Sequence, residues 1–280
     1  MAGSGDILQS GANEAQPGPY KVLSIIFPGF NTLDLNGPLD VFTKSGQWDK
    51  FEVTIAAENE ITESVEGLQV KRKKALVIDK SSPAQSAGDA EQLTIAEACA
   101  QYDILHIAGG GTDMVQTQAK LADSAFMQLI KQFAKTSPSK VAGQKPRPRI
   151  LLSICTGAAF PGAMGVFNGR ACTTHWGFCP KLVTILQQAA DAAAKQSGCG
   201  VSPGTVLRAR YVDSGSNDAG VQIISSGGIS CGIDAALHVV DQLEGQAAAQ
   251  GVCEILDYAW HKTAGLITTP VEAPPQNLRG

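Results

Sequence analysis

One cysteine stands where a buried strand turns into a helix. Residues 150–159 (ILLSICTGAA) begin as an apolar run that ends at Cys155 and turns through Thr156 and Gly157 into small residues. This layout predicts a nucleophile elbow, which presents its side chain at the carboxyl end of a sheet, where ligands bind in open α/β folds. The N–H groups of the following helix should lower the pKa of the thiol. A buried structural cysteine is the alternative, because Cys is often buried.

Three successive glycines follow another apolar run. Residues 107–112 (IAGGGT) contain Gly109, Gly110 and Gly111, whose N–H groups a ligand can approach without obstruction by side chains. Together with Gly157 they would form an oxyanion hole opposite Cys155. The run does not match GxGxxG and lacks the Lys and Ser or Thr of a phosphate loop, so a plain tight turn is an equal alternative.

An acid lies just beyond the first predicted strand. Asp34 occurs in FNTLDLNGPLDVF, between two leucines. A carboxyl in a semi-buried cleft has a raised pKa and can take up or deliver a proton. The alternative, equally supported by the sequence position, is an acid that caps a helix.

Two more segments offer side chains to a pocket. His175 and Trp176 occur in ACTTHWGF, where the histidine would act as a base and the tryptophan would wall an apolar pocket; a hydrogen-bonded core histidine is the alternative. The segment SSGGISCGID predicts another strand-to-helix turn, with backbone donors for the pocket and a weaker nucleophile candidate, Cys231. His106 and His238 are predicted to be structural.

Buried strands and helices alternate along the chain. Short apolar runs typical of strands buried on both faces lie at residues 22–27, 51–57, 104–108, 150–154 and 221–225. Helix-like stretches lie at residues 38–44, 95–100, 122–135, 157–164, 180–194 and 233–250. The alternation predicts an α/β sandwich with a mainly parallel sheet covered on both faces. Residues 207–212 and 221–224 flank the turn-rich DSGSNDAG and predict an antiparallel β-hairpin at the sheet edge.

The chain is expected to form one domain with an arm, a tail and two insertions. Residues 1–20 are small and polar, which predicts a flexible arm, and the proline-containing residues 268–280 predict an extended tail. The domain would span residues 21–267. Its two surface insertions are the basic, proline-rich residues 136–149 and residues 189–204, where an Ala-rich helix end passes into a loop.

Composition excludes several classes of partner. The 280 residues include 22 Lys and Arg against 26 Asp and Glu, a balance that argues against binding nucleic acid. No apolar run reaches the roughly 20 residues that span a bilayer, and the N-terminus lacks a signal pattern, so we expect a cytoplasmic protein without a membrane partner. The seven cysteines lack metal-ligand spacing, and we expect reduced thiols and no metal or organic cofactor.

Several motifs in fixed order resemble the ThiJ/PfpI superfamily, which has the class I glutamine-amidotransferase-like fold, and most closely its isonitrile hydratase branch. They are VLSIIFPGFNTLDLNGPLDVF, YDILHIAGGGT, SICTGAAFPGAMGVFNGRACTTHW and SSGGISCGIDAALHVV. The resemblance spans residues 21–264. It implies a flavodoxin-like three-layer sandwich, a homodimer, a small-molecule substrate and Cys155 as nucleophile. It also matches Asp34 to the acid that faces the nucleophile in the hydratases and Thr156 to the residue after the elbow.

Other members of the superfamily fit less well. Members described as proteases or glyoxalases usually have His directly after the nucleophile and Glu in the place of Asp34, whereas Thr156 follows the cysteine here. AraC-type transcription regulators share the CTG and TTHW motifs but carry a C-terminal helix-turn-helix module, and only about thirty residues follow Gln250 here.

The resemblance therefore implies a lyase that hydrates an isonitrile to an N-substituted formamide. The Cys155 thiolate would attack the isonitrile carbon, Asp34 would protonate that carbon and then orient water, and Thr156 would hold the water. Two alternatives stay open. One is another cysteine-dependent enzyme, acting on a reactive carbonyl or in a cyclisation of secondary metabolism. The other is a non-catalytic thiol sensor or small-molecule-binding protein.

Overall fold

An eight-stranded, mainly parallel sheet forms the centre of the protein. The structure is a computed structural model that describes residues 18–81, 90–138, 147–262 and 270–271. Residues 1–17 of the predicted arm, most of the predicted tail at residues 268–280 and much of the insertion at residues 136–149 lie outside the described residues. The arm predicted to end at residue 20 ends earlier, because Tyr20 is the first residue of the first strand. In the second insertion, the helix Cys179–Ser197 is capped at its C-terminus by Gly198, which has a left-handed backbone.

The strands of the central sheet run in the order β11-β12-β8-β7-β1-β2-β5-β6. Their neighbours pair in parallel except β11 and β12, which are antiparallel. The bounds of these strands are β1 (Tyr20–Ile25), β2 (Phe51–Ala57), β5 (Lys74–Val77), β6 (Gln92–Thr94), β7 (Ile104–Ile107), β8 (Ile150–Ser153), β11 (Tyr211–Ser216) and β12 (Gln222–Ser226). Two small sheets pair β3 (Ile61–Glu63) with β4 (Gln69–Lys71) and β9 (Ala171–Cys172) with β10 (Thr205–Val206).

The helices cover both faces of the sheet. One layer contains α1 (Thr32–Lys44), α7 (Cys231–Glu244) and α8 (Gln246–Ile255). The other contains α2 (Ile95–Gln101), α3 (Thr112–Lys120), α4 (Ala125–Phe133), α5 (Ala159–Ala163) and α6 (Cys179–Ser197). Every residue of β7 and β8 is buried, as expected for strands covered on both faces. The predicted flavodoxin-like three-layer sandwich is confirmed.

The hairpin predicted at the sheet edge is confirmed, with a shifted first strand. β11 begins at Tyr211, whereas the pattern predicted a start at residue 207. The preceding residues Thr205 and Val206 pair instead with Ala171 and Cys172, in a separate two-stranded sheet. No helix within the described ranges is long and apolar enough to cross a bilayer.

The first helix begins six residues earlier than its pattern predicts. Asn31 caps α1, because its side chain accepts hydrogen bonds from the N–H groups of Leu33 and Asp34. Pro38, which the sequence pattern placed at the start of the helix, lies inside it. This extension of α1 brings Asp34 into a first helical turn, and so decides where its carboxyl lies.

Candidate active site

Cys155 lies at a sharp turn between β8 and a short helical segment. Its φ is +57°, in the left-handed region that residues other than glycine rarely occupy. The turn is fixed on both sides: the Cys155 N–H donates to the Gly227 carbonyl at 3.1 Å, and the Thr174 hydroxyl donates to the Cys155 carbonyl at 2.7 Å. The predicted strand-to-helix elbow is therefore present, with the backbone strain that marks such turns.

Asp34 is fully buried in the first turn of α1. Asn31 caps the helix, so the Asp34 carboxyl is not used for capping. The alternative that Asp34 is a helix-capping acid is therefore wrong. The carboxyl approaches the glycine loop so closely that a Cβ built on Gly109 would lie 2.8 Å from Asp34 Oδ2. Only glycine fits beside the acid at that position.

The backbone of Asp34 is held by His106, a residue that the sequence analysis assigned only a structural role. Pro38 has no N–H, so the Asp34 carbonyl four residues earlier lacks its usual helical donor. His106 Nε2 donates to that carbonyl at 3.1 Å, and His106 Nδ1 lies 2.9 Å from the Ser24 hydroxyl. A carbonyl only accepts, so Nε2 carries a proton; in the neutral ring Nδ1 then accepts from the Ser24 hydroxyl. Burial agrees with this, since it lowers the pKa of His106 to about 4.

The Asp34 carboxyl faces the Cys155 thiol. Neither carboxyl oxygen has a hydrogen-bond partner at standard geometry among the described residues, although both are buried. Burial raises the pKa of Asp34 to about 7, and the Cys155 thiol and the Gly109 N–H limit the rise because they favour the charged form. A buried carboxyl with spare hydrogen-bonding capacity and a near-neutral pKa is suited to proton transfer.

The expectation of a low-pKa thiolate is wrong. Burial, and next the negative charge of Asp34, raise the pKa of Cys155 to about 12. The helix expected to stabilise a thiolate is a 3₁₀ turn (Cys155–Ala158) followed by only five residues of α5. So short a helix contributes little dipole, and desolvation prevails. The resting sulfur is therefore a protonated thiol.

Backbone donors at the sulfur come from two residues. The Ile229 and Thr156 N–H groups both favour the ionised form of Cys155, and the Ile229 N–H also favours ionised Asp34. Ile229 has a φ of +48°, which is unusual for a β-branched residue. The SSGGIS motif signalled this turn, but its sequence could not show that the Ile229 N–H points at the sulfur.

The predicted oxyanion donors are largely engaged by other groups. The Gly110 N–H donates to Thr156 Oγ1 at 2.8 Å, the Gly111 N–H to the Gly29 carbonyl at 3.1 Å, and the Gly157 N–H to the Ile154 carbonyl at 2.9 Å. Thr156 Oγ1 also donates to the Gly110 carbonyl at 2.8 Å. The glycine loop and Thr156 thus form a rigid wall of the site, and the Thr156 hydroxyl is engaged in both hydrogen bonds to Gly110.

His175 and Trp176 border an open cavity of about 380 Å³ beside the elbow. Ile229 lines the same cavity, and its N–H faces the Cys155 and Asp34 pair, so this residue lies between the cavity and the pair. His175 is half-buried rather than a core residue, and its Nδ1 accepts a hydrogen bond from the Gly177 N–H at 3.2 Å. Trp176 is 67% exposed, so its ring forms the rim of the cavity and not a closed wall.

A second acid lies near Asp34, on the β3–β4 turn that the sequence analysis did not predict. The Glu66 carboxylate accepts hydrogen bonds from the Thr32 N–H at 3.0 Å and the Thr32 hydroxyl at 2.7 Å. It thereby ties the turn to the start of α1, and its negative charge contributes to the raised pKa of Asp34. Strands of three residues leave too short a pattern to be predicted from sequence.

Among the described residues, no group of three or more His, Cys, Asp or Glu side chains is placed to hold a metal ion.

The buried cysteine lies on a strained turn at the carboxyl end of a parallel sheet, opposite an acid. This arrangement places the protein among the α/β proteins that carry a cysteine at a nucleophile elbow. The chain belongs to the DJ-1/PfpI family, whose sequence model matches residues 20–216. The resemblance inferred from the motifs is confirmed.

Comparisons with known proteins agree on fold and family. The chain is 25% identical to the isonitrile hydratase of Pseudomonas putida over an alignment of 236 residues. The alignment covers 84% of this chain and 77% of that protein. It is similar to the crystal structure of a ThiJ/PfpI family protein from Pseudomonas syringae, with a TM-score of 0.59, 19% identity, and coverage of 99% of this chain and 86% of that one. Drosophila melanogaster DJ-1beta gives a TM-score of 0.57 at 17% identity, over 86% of this chain and 100% of that one. At these identities the structural likeness shows the fold alone.

Proposed function

We propose that this protein is a cysteine-dependent lyase that hydrates an isonitrile to an N-substituted formamide. The observation that carries the proposal is the buried pair of the Cys155 thiol and the Asp34 carboxyl, with a pKa of about 7 on the acid. The similarity to an isonitrile hydratase supports the choice of substrate.

In the first step, the thiol adds across the terminal carbon of the isonitrile. The S–H bond breaks and an S–C bond forms, while the Asp34 carboxylate takes the proton and delivers it to the same carbon. The product is a thioimidate, in which the carbon carries one hydrogen and is joined by a double bond to nitrogen. A carboxylate next to the sulfur removes the need for a free thiolate, which the raised pKa of Cys155 makes scarce at neutral pH.

In the second step, water adds to the carbon–nitrogen double bond. The Asp34 carboxylate accepts a proton from the water as the new C–O bond forms, and returns it to the nitrogen. The C–S bond then breaks, the hydroxyl becomes the formamide carbonyl, and its proton returns to sulfur through Asp34. The sum is one isonitrile and one water converted to one formamide, with the enzyme unchanged.

Backbone donors would stabilise charge at the sulfur during both steps. The Ile229 and Thr156 N–H groups fit this role because they face the sulfur. The Gly109 N–H faces the Asp34 carboxyl and would stabilise its ionised form. Ile229 and Thr156 thus take the oxyanion-binding role predicted for the other glycines, while Gly110, Gly111 and Gly157 shape the wall.

Replacement of Cys155 tests the proposal. Cys155→Ala should abolish formamide production from an isonitrile panel, measured by chromatography, and Cys155→Ser should reduce it at least 100-fold. Cys99→Ala is the matched control, because Cys99 is 4% exposed against 5% for Cys155 but lies on α2. It should keep full activity. A Cys155→Ala protein that still produces formamide would rule out the covalent route.

The thiol-sensor alternative has less support. Oxidant sensing requires an accessible thiolate, whereas Cys155 is buried and protonated. A reactive-carbonyl substrate stays an alternative for the same pair, and dicarbonyls belong in the substrate panel. Turnover of dicarbonyls but not isonitriles would replace the proposed substrate while keeping the nucleophile.

The homodimer and the cytoplasmic location stay predictions. Light scattering on the purified protein would test the first, with a mass near twice 29.2 kDa expected. Fractionation of cells that express the full chain would test the second.

A further inference from the structure

The cavity beside the elbow has a cationic side that the proposed chemistry does not use. Arg208 and Arg210 line it, opposite the turn that leads into α7. Ser230 stands at the start of α7, and its side chain makes no capping hydrogen bond there. The amino end of this 14-residue helix adds a positive potential, which Asp234 in its first turn offsets in part.

The two arginines differ in how much of their charge is already compensated. Arg210 Nε donates to Asp234 Oδ2 at 2.6 Å, and Asp234 is fully buried. The Tyr258 hydroxyl at 3.2 Å and the His261 N–H at 3.0 Å also donate to Asp234 Oδ1. Arg210 is thus a fixed, paired part of the cavity wall.

Arg208, by contrast, has an exposed side chain. Among the ion pairs formed within the described ranges, none involves Arg208. Within the part of the chain that the structure describes, the cavity therefore presents one guanidinium without an ion-pair partner, which can balance a single negative charge. A guanidinium binds a carboxylate through two parallel hydrogen bonds.

The remaining walls suit an apolar body next to that charge. Trp176 and Ile229 lie on the cavity and are 67% and 40% exposed, so both leave apolar surface free for contact. The N–H of Ile229 faces Cys155, so this one residue borders both the cavity and the thiol. The Ile229 N–H also faces the buried Asp34 carboxyl, whose oxygens have no partner at standard geometry among the described residues.

We infer that this cavity selects substrates that carry a carboxylate on an apolar body, and that Arg208 is the specificity-determining residue. With the proposed function, on which this inference rests, the substrate class is an isonitrile of an apolar amino acid with its carboxylate free. The carboxylate pairs with Arg208, the side chain packs on Trp176 and Ile229, and the isonitrile carbon points to Cys155.

A binding experiment tests the cavity without any turnover. The probes are N-formylphenylalanine, which is the formamide expected from such a substrate, and its uncharged methyl ester, each measured by calorimetry. The wild type should bind the acid about tenfold more tightly than the ester. Arg208→Gln should remove this preference and Arg208→Lys should restore part of it. Lys195→Gln is the charge-matched control, since Lys195 is exposed in the last turn of α6, and it should behave as the wild type.

Three results would overturn the inference. The first is that the wild type binds the acid and the ester with equal affinity. The second is that Arg208→Gln loses affinity equally for both probes. The third is that inorganic phosphate competes with N-formylphenylalanine more strongly than acetate does. The last would assign the site to a phosphate group.

Turnover separates the inference from the proposed function. With the isonitrile of phenylalanine and its methyl ester as substrates, Arg208→Gln should raise KM for the acid about tenfold, leave kcat nearly unchanged and leave the ester unaffected. An Arg208-dependent preference for N-formylphenylalanine without hydration of either isonitrile would support the anionic cavity and reject the proposed reaction. Hydration of both isonitriles with equal KM would support the reaction and reject the cavity's role.

Discussion

The carboxyl of Asp34 raises the pKa of the Cys155 thiol, and the thiol in turn favours the ionised form of Asp34. Both effects hold the shared proton on sulfur when the acid is ionised. In that state the pair is a protonated thiol next to a carboxylate base, and not a free thiolate. Activation then depends on proton transfer to Asp34 as the new bond to sulfur forms.

Asp34→Asn should move reactivity and turnover in opposite directions. Without the carboxylate charge and its hydrogen bond, the pKa of Cys155 falls, so alkylation of Cys155 by iodoacetamide at pH 8 becomes faster. Turnover falls about 100-fold or more because the proton carrier is lost. Mass spectrometry of the labelled peptide measures the first effect, in a Cys199→Ser background, since Cys199 is exposed.

Asp40→Asn is the matched control for this prediction. Asp40 lies on the same helix but is exposed and pairs with Lys44 at 2.6 Å. It should leave both the labelling rate and turnover unchanged. Slower labelling in Asp34→Asn would contradict the assigned direction of the charge effect.

The raised pKa of Asp34 also predicts how stability varies with pH. The folded state keeps the proton up to about pH 7, whereas the unfolded state loses it near 3.8. Between these values the folded state binds more protons, so the free energy of unfolding falls as pH rises. At about 1.4 kcal/mol per pKa unit, the loss from Asp34 is on the order of 4 kcal/mol.

Urea unfolding at pH 4 and pH 8 measures this contribution. The wild type should lose more stability between the two pH values than Asp34→Asn, which cannot titrate at this position, and the variant should be the more stable protein at pH 8. Titrating groups that do not interact with Asp34 affect both proteins alike, so the difference reports on Asp34 together with the Cys155 thiol coupled to it. Parallel pH dependences for the two proteins would mean that Asp34 does not have a raised pKa.

Ile229→Gly should be tolerated or stabilising, unlike most such changes. Its φ of +48° strains an isoleucine by about 1 kcal/mol or more, and glycine relieves that strain. Ile61→Gly is the control, because Ile61 is 53% exposed in β3, where glycine weakens a strand. We expect Ile61→Gly to lower the melting temperature and Ile229→Gly to leave it equal or higher. A drop of several degrees for Ile229→Gly would show that the side chain, not the turn, matters for folding.

Thr156→Val tests whether the Thr156 hydroxyl acts on the glycine loop. The variant loses both hydrogen bonds to Gly110, which frees the loop beside Asp34. We expect a decrease in stability of about 1–2 kcal/mol and a lower kcat, and restoration of both by Thr156→Ser. If Thr156→Val lowered kcat while stability stayed the same, the hydroxyl would hold water as the sequence first suggested.

Much of this arrangement could be predicted from the sequence, but not all of it. The buried strands were evident because continuous β-branched runs bury both faces of a parallel sheet, and the elbow was evident because a strand ends in CTGA. The small strands β3 and β4 were missed because three residues carry no usable period. As a result, Glu66 near Asp34 was missed as well.

The pKa of Cys155 shows why the local sequence pattern was not enough to predict the ionisation state of the thiol. The sequence presented a cysteine before a helix, which by itself predicts a stabilised thiolate. The helix is short, and residues far apart in the chain bury the sulfur and place Asp34 beside it. Desolvation and a neighbouring charge reverse the sign of the local effect.

The sequence by itself determined the layered fold, the family, the elbow and the two residues most suited to chemistry, because strand burial and turn geometry depend on neighbours in the chain. Only the tertiary structure decided that His106 replaces the donor missing at Pro38, that the Ile229 N–H faces the sulfur, and that Arg208 borders the same cavity. These relations join segments separated by tens of residues, and their energies depend on distance and burial, which no local pattern encodes.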